Sequence, residues 1–153
     1  MKHLAFMLLI PFTLKAYTQQ NPNELVKFLE GKWHNHSYII ENGKEVVAHD
    51  YKETMEIVDS VNLSITAHGI KNGEDLTKGM TLIVRNDSAI MKQGPFEAKG
   101  IKEGNVYYLT GQHEAQEYRF RLYTMGDKYI FHSETWHNGK IQRMNMSYLT
   151  RQK

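Results

Sequence analysis

The sequence predicts an all-β protein, an antiparallel up-and-down meander barrel of about eight to ten strands with a short N-terminal helix. Three observations lead there. From Trp33 to Thr150 polar and apolar residues alternate, as where Tyr118, Phe120 and Leu122 interleave with Glu117, Arg119 and Arg121, which is the pattern of a half-buried strand. Between such runs stand Asn42-Gly43, Asn72-Gly73, Asn86-Asp87, Glu103-Gly104, Gly126-Asp127 and Asn138-Gly139, residues that accept the positive φ of tight hairpin turns. No long helical pattern separates the runs, so parallel crossovers, which need one, are excluded.

The chain opens with Met1-Lys2-His3, continues with an apolar run from Leu4 to Leu14, and reaches small residues at Ala16 and Thr18. That order of a basic, an apolar and a small-residue region is a secretory signal peptide. We expect it to comprise residues 1–18, with cleavage before Gln19, leaving residues 19–153 as one barrel domain. The apolar run is well short of the ~20 residues a spanning helix needs, so the expected product is secreted or periplasmic, with no membrane anchor. The chain has no cysteine, which excludes disulfides, thiolate chemistry and lipidation at a Cys.

After the leader, Leu25, Phe28 and Leu29 fall at helical spacing before Gly31 ends the turn, which predicts a helix of about two turns with those three residues as its apolar stripe. Strands are expected at 32–41, 45–58, 62–70, 80–85, 88–93, 97–101, 105–113, 117–124, 128–137 and 141–150. A single sheet this wide must curl or close. Closure removes both exposed edges and encloses a cavity; a two-sheet sandwich is the alternative.

Charge and motifs exclude several functions. Without Lys2 and Lys15 the chain carries equal numbers of basic and acidic residues, so neither a nucleic-acid footprint nor a polybasic membrane patch is expected. There is no Gly-x-Ser-x-Gly, phosphate loop, His-Glu-x-x-His or Gly-x-Gly-x-x-Gly. Glu134 beside Trp136, or Glu53 with Glu56, could be imagined as acids for catalysis, but isolated carboxylates on hairpins are usually solvated. Neither an enzyme nor a resident cofactor is expected.

The run Leu29-Glu30-Gly31-Lys32-Trp33, a short helix and then Gly-x-Trp at the start of strand one, resembles the opening of lipocalins and related calycin barrels. Tyr148-Leu149-Thr150-Arg151 resembles their end, and small secreted lipocalin-like domains as well. The resemblance implies that Arg151 packs across Trp33 at the closed end, both structural, and that the lumen binds a small, mostly apolar molecule. The order Gly31, Trp33, Asn35 is also similar to the first strand of avidin-type biotin binders, whose box of several tryptophans this chain, with Trp33 and Trp136 alone, does not have.

With Trp33 facing inward, parity puts Asn35, Ser37 and Ile39 on the same side and His34, His36 and Tyr38 outside. Strand two offers Tyr51, Met55 and Ile57, with Glu53 among them, and the last strand offers Met144, Met146 and Tyr148. Methionine and tyrosine would give an adaptable apolar wall with hydroxyl handles. The ligand-binding residues expected are therefore Asn35, Ser37, Tyr51, Met55, Met144, Met146 and Tyr148. His34 and His36 project from one strand face, as metal-binding imidazoles do, while His132 and His137 belong to a strand too distant to complete such a site easily. The expected function is a secreted protein that holds a small apolar or amphipathic molecule. The alternatives are a histidine-based metal or haem module and an envelope interaction domain without a small ligand.

Overall fold

The computed structural model describes residues 23–71 and 74–153; the expected signal segment, 1–18, lies outside them. Helix α1 spans Glu24–Leu29, and ten strands follow among the described residues: β1 Gly31–Glu41, β2 Lys44–Ile57, β3 Asn62–Lys71, β4 Glu74–Val84, β5 Ser88–Gln93, β6 Phe96–Glu103, β7 Val106–His113, β8 Gln116–Met125, β9 Lys128–His137 and β10 Lys140–Arg151. Each strand pairs antiparallel with the next, and β10 pairs with β1 to close the barrel. Closure satisfies the two backbone edges that an open meander would present to other chains.

One strand departs from the expected bounds. β4 begins at Glu74 instead of Met80, because β3 provides a ladder from Lys71 opposite Glu74 to Thr66 opposite Gly79. The segment Glu74-Asp75-Leu76-Thr77-Lys78-Gly79 has little strand propensity of its own, and the neighbouring strand overrides it.

The lower end of the barrel is a plug. The Asn23 side chain caps α1 by accepting a hydrogen bond from the Leu25 N–H at 2.9 Å, and the helix lays Val26 and Leu29, both fully buried, onto the barrel end. Complete burial of such side chains is worth about 1.5–3 kcal/mol each. Leu25 and Phe28 pack only at the margin, so the expected stripe of Leu25, Phe28 and Leu29 is corrected: Val26, one turn before Leu29, takes the inner position.

Beneath the helix the Trp33 indole is wholly buried and donates its N–H to the Leu29 carbonyl at 2.6 Å. Arg151 stands opposite Trp33 in the β1–β10 register. Its guanidinium lies 4.6 Å from the indole centroid and donates to the Glu30 carbonyl at 2.7 Å and to the Phe28 carbonyl. The glycine of Gly-x-Trp has a steric reason: Gly31 sits at φ +126°, and a Cβ there would stand 2.9 Å from an Arg151 nitrogen. Met55, Leu63, Val84 and Tyr107 complete the packed floor.

Candidate functional site: the barrel lumen

Above the floor the lumen opens into a cavity of about 650 Å³, within the range of small-molecule sites. Its two sides differ. Along β3, β4, β5 and β8 the lining is Ile65, Met80, Leu82, Met91, Phe120 and Leu122. Phe96, Tyr118, Phe120 and Phe131 form a chain of ring contacts with centroids 5.1–6.1 Å apart. Along β1, β2, β9 and β10 the polar residues Asn35, Ser37, Glu53, Ser133, Asn145 and Ser147 line it beside Ile39, Phe131 and Leu149.

The polar side is a continuous hydrogen-bonded ladder whose direction follows from proton counting. Asn35 donates its amide N–H to Glu53 at 2.5 Å, so the Asn35 carbonyl is left to accept from the Ser37 hydroxyl at 3.0 Å. Ser37 has then used its one proton, and the 2.8 Å contact with Ser147 must be donated by Ser147. Ser147 in turn accepts from the Asn145 amide at 3.3 Å. The ladder runs from Asn145 down to Glu53, and both ends are acceptors. The Asn145 side-chain oxygen is buried without a partner, and burial pushes the Glu53 carboxyl above its ordinary range although the Asn35 bond opposes the shift.

Depth comes from the register. Glu53 pairs with Trp33 and so lies just above the floor, near the buried Tyr129, whose phenol is pushed well up by burial and further by the Glu53 carboxylate. The mouth is at the other end of the strands, where Glu41, Lys78, His113, Gln116 and Arg143 line the opening. The charged residues of the mouth are exposed to water. The cavity therefore has one buried carboxyl at its base and mixed charges at its rim.

The structure divides the residues that sequence parity assigned to the lumen. Asn35, Ser37 and Tyr51 line the cavity. Met55 faces inward but lies in the packed floor beneath it. Met144, Met146 and Tyr148 require correction: they point outward, with Tyr148 edge-on to Tyr38 and its hydroxyl on the Met146 sulfur at 2.7 Å. The register that sets Arg151 opposite Trp33 also sets Leu149 opposite Asn35 and Ser147 opposite Ser37. Opposed residues share a face, so β10 turns its polar set inward and its methionines out. Glu53, Asn145 and Ser147 were missed as site residues. For Asn145 and Ser147 the signal was the pairing of the two chain ends, counted back from Arg151; Glu53 already stood in the alternating set of strand two.

On the outer wall the His34 and His36 rings lie 4.2 Å apart, and His36 Nδ1 is 2.7 Å from a carboxylate oxygen of Asp50. One ligand atom from each of the three lies within 4.8 Å of the others. Sequence reading did not find Asp50. Near the hairpin, Glu41 opposite Lys44 and Ile39 opposite Val46 set a register that would bring His49 across from His36; a bulge shifts it by one residue and puts Asp50 there. Glu134 is no catalytic acid pair with a neighbour: it lies buried under the outer wall, 3.4 Å from the Arg121 guanidinium and accepting from the Trp136 indole at 2.9 Å.

A closed antiparallel barrel plugged at one end by a helix, with Trp and Arg stacked where first and last strands meet, is a lipocalin/calycin-like fold. Solved structures agree with that class. The S-type phycobiliprotein lyase CPES from Guillardia theta superposes with a TM-score of 0.68 at 10% identity, over 85% of this chain and 92% of that one. Rv2717c from M. tuberculosis gives a TM-score of 0.54 at 16% identity over 84% and 96% of the two chains, and a redesigned beta barrel gives 0.50 at 12% identity over 84% and 95%. No protein-family model and no curated protein sequence matches the chain.

Proposed function

We propose that this protein binds a small amphipathic molecule in its barrel lumen, and that a signal peptide at residues 1–18 delivers the barrel to a secreted or periplasmic location. The observation that carries the ligand reading is the amphipathic lining of the ~650 Å³ cavity, in which a cluster of aromatic and aliphatic side chains meets a ladder of hydrogen-bonding ones. Asn35, Ser37 and Tyr51 are the ligand contacts expected from the sequence that face this space, joined by Glu53, Asn145 and Ser147. The CPES likeness supports the reading at the level of the fold.

Native mass spectrometry on protein purified from its own source, with a solvatochromic dye titrated into the delipidated sample, tests the proposal. A stoichiometric adduct and one saturable dye site support it. A lumen that takes up no dye overturns it. For the location, the N-terminus of the exported protein should read Gln19; a mature chain that keeps Met1 rejects the signal peptide.

The His34, His36 and Asp50 cluster favours a second reading, a divalent transition-metal ion on the outer wall. Two imidazoles and a carboxylate are the donor set of many zinc and iron sites. Zinc titration should give a dissociation constant of about micromolar order, weakened at least about tenfold in His36→Ala and Asp50→Asn. Binding weaker than about millimolar, or indifferent to both substitutions, rejects it.

A further inference from the structure

Resting on the lumen reading, we propose that the ligand enters with a nitrogen-borne hydrogen-bond donor foremost, a protonated amine or an N–H group, which docks on the Glu53 carboxylate at the base of the cavity. The direction of the polar ladder carries this. The hydroxyl protons of Ser37 and Ser147 are committed to Asn35 and Ser37, and the ladder's lower end is a carboxyl with one oxygen occupied by Asn35. Its upper end, the Asn145 oxygen, is a buried acceptor without a partner. Both termini therefore ask for donors. The two positions stand at opposite ends of a ladder of four hydrogen bonds of 2.5–3.3 Å, so Glu53 is the site for the leading end and Asn145 for a donor nearer the mouth. A carboxylate at the base of the cavity discriminates strongly, because an acceptor or an aliphatic end placed against it would leave its charge uncompensated. Cations at the mouth, Lys78 and Arg143, are solvated and make no such demand.

Isothermal titration with decylamine and 1-decanol, equal in chain length, tests the assignment in the whole protein and in Glu53→Gln. In the wild type the amine should bind at least about tenfold more tightly than the alcohol. Glu53→Gln should abolish that preference and change alcohol binding little, while Glu41→Gln, at the mouth, should preserve it. A preference absent from the wild type, or retained in Glu53→Gln, overturns the inference and leaves the lumen reading standing. Failure of both probes to bind overturns the two together. Should Glu53→Gln not fold, the wild-type pH profile decides. The ratio of amine to alcohol affinity should rise as Glu53 loses its proton, and a ratio flat from about pH 4 to 8 refutes the role. The other titratable groups lining the lumen are the phenols of Tyr51, Tyr118 and Tyr129, and Glu41, Lys78, His113 and Arg143 at the mouth. Glu41→Gln and His113→Gln profiles separate the mouth groups from Glu53.

Discussion

Glu53 and His132 lie on opposite faces of the barrel wall and respond to pH in opposite senses. Burial raises the Glu53 pKa above 4.5 against the effect of the Asn35 hydrogen bond, so the folded state holds that proton more firmly than the unfolded chain. Its stabilising effect is fully present below pH 4.5 and is lost as pH rises through the folded value. Urea melts at pH 4 and pH 8 should therefore show Glu53→Gln gaining on the wild type at the higher pH; a constant difference would contradict the burial. His132 behaves conversely. Burial lowers its pKa below 6.5, helped by Arg121 and opposed by Glu134, and Arg121 donating to Nδ1 at 3.1 Å leaves the proton on Nε2, which has no partner. The neutral ring contributes stability present above pH 6.5 and lost as pH falls through its folded value. His132→Gln should flatten the stability decline between about pH 6.5 and 5. At the floor, Arg151→Ala removes two charge-assisted hydrogen bonds and a cation–π contact, costing about 1–3 kcal/mol and lowering the melting temperature by about 3–10 °C. Lumen affinity should not change, and a melting curve that does not move would remove the floor contact from the account.

At the scale of elements, α1 is too short to be stable alone and holds its shape by docking. Its buried residues should therefore outweigh its cap. Leu29→Ala should cost about 2–5 kcal/mol and Asn23→Ala about 1 kcal/mol, while Phe28→Ala, at the margin of the plug, should fall below Leu29→Ala. Chemical denaturation of the three variants checks the order, and a larger loss at Phe28 would mean that the helix docks on another face. β10 teaches more about function. Its period-two alternation was legible, but the two faces could not be told apart by polarity, since the inward set is Asn145, Ser147 and Leu149 and the outward set is Met144, Met146 and Tyr148. Apolar-inward reasoning reads such a strand backwards, and the inversion falls where the wall carries the binding ladder.

For the molecule as a whole, closure turns ten individually marginal strands into an enclosed volume. Ala67 on β3 pairs with Glu53 and lines the same space, so Ala67→Phe should occupy the base of the lumen. We expect at least about a tenfold loss of amine binding with an unchanged circular dichroism spectrum. Undiminished binding by a folded variant would place the ligand elsewhere. The pocket also accounts for what stability the barrel forgoes: the upper lumen is a cavity, and the fully packed core is confined to the floor around Trp33, Met55 and Leu63.

The sequence by itself determined the strand order, the hairpins and the plugged end, because alternation, turn dipeptides and the positions of Gly31, Trp33 and Arg151 are local or terminal features that need no partner to be read. It also carried Asn35 and Ser37 to the lumen through parity counted from Trp33, and Tyr51 through the alternation of strand two. Only the tertiary structure decided that Met144, Met146 and Tyr148 face out, that Asp50 and not His49 meets His36, and that Glu53 and Asn145 end a shared polar ladder. The physical reason is the same in each case. Which face of a strand turns inward, and which residue stands opposite another, are properties of the pairing register. A single bulge shifts that register by one residue, and it is fixed by the neighbouring strand and by closure of the barrel, not by either strand alone.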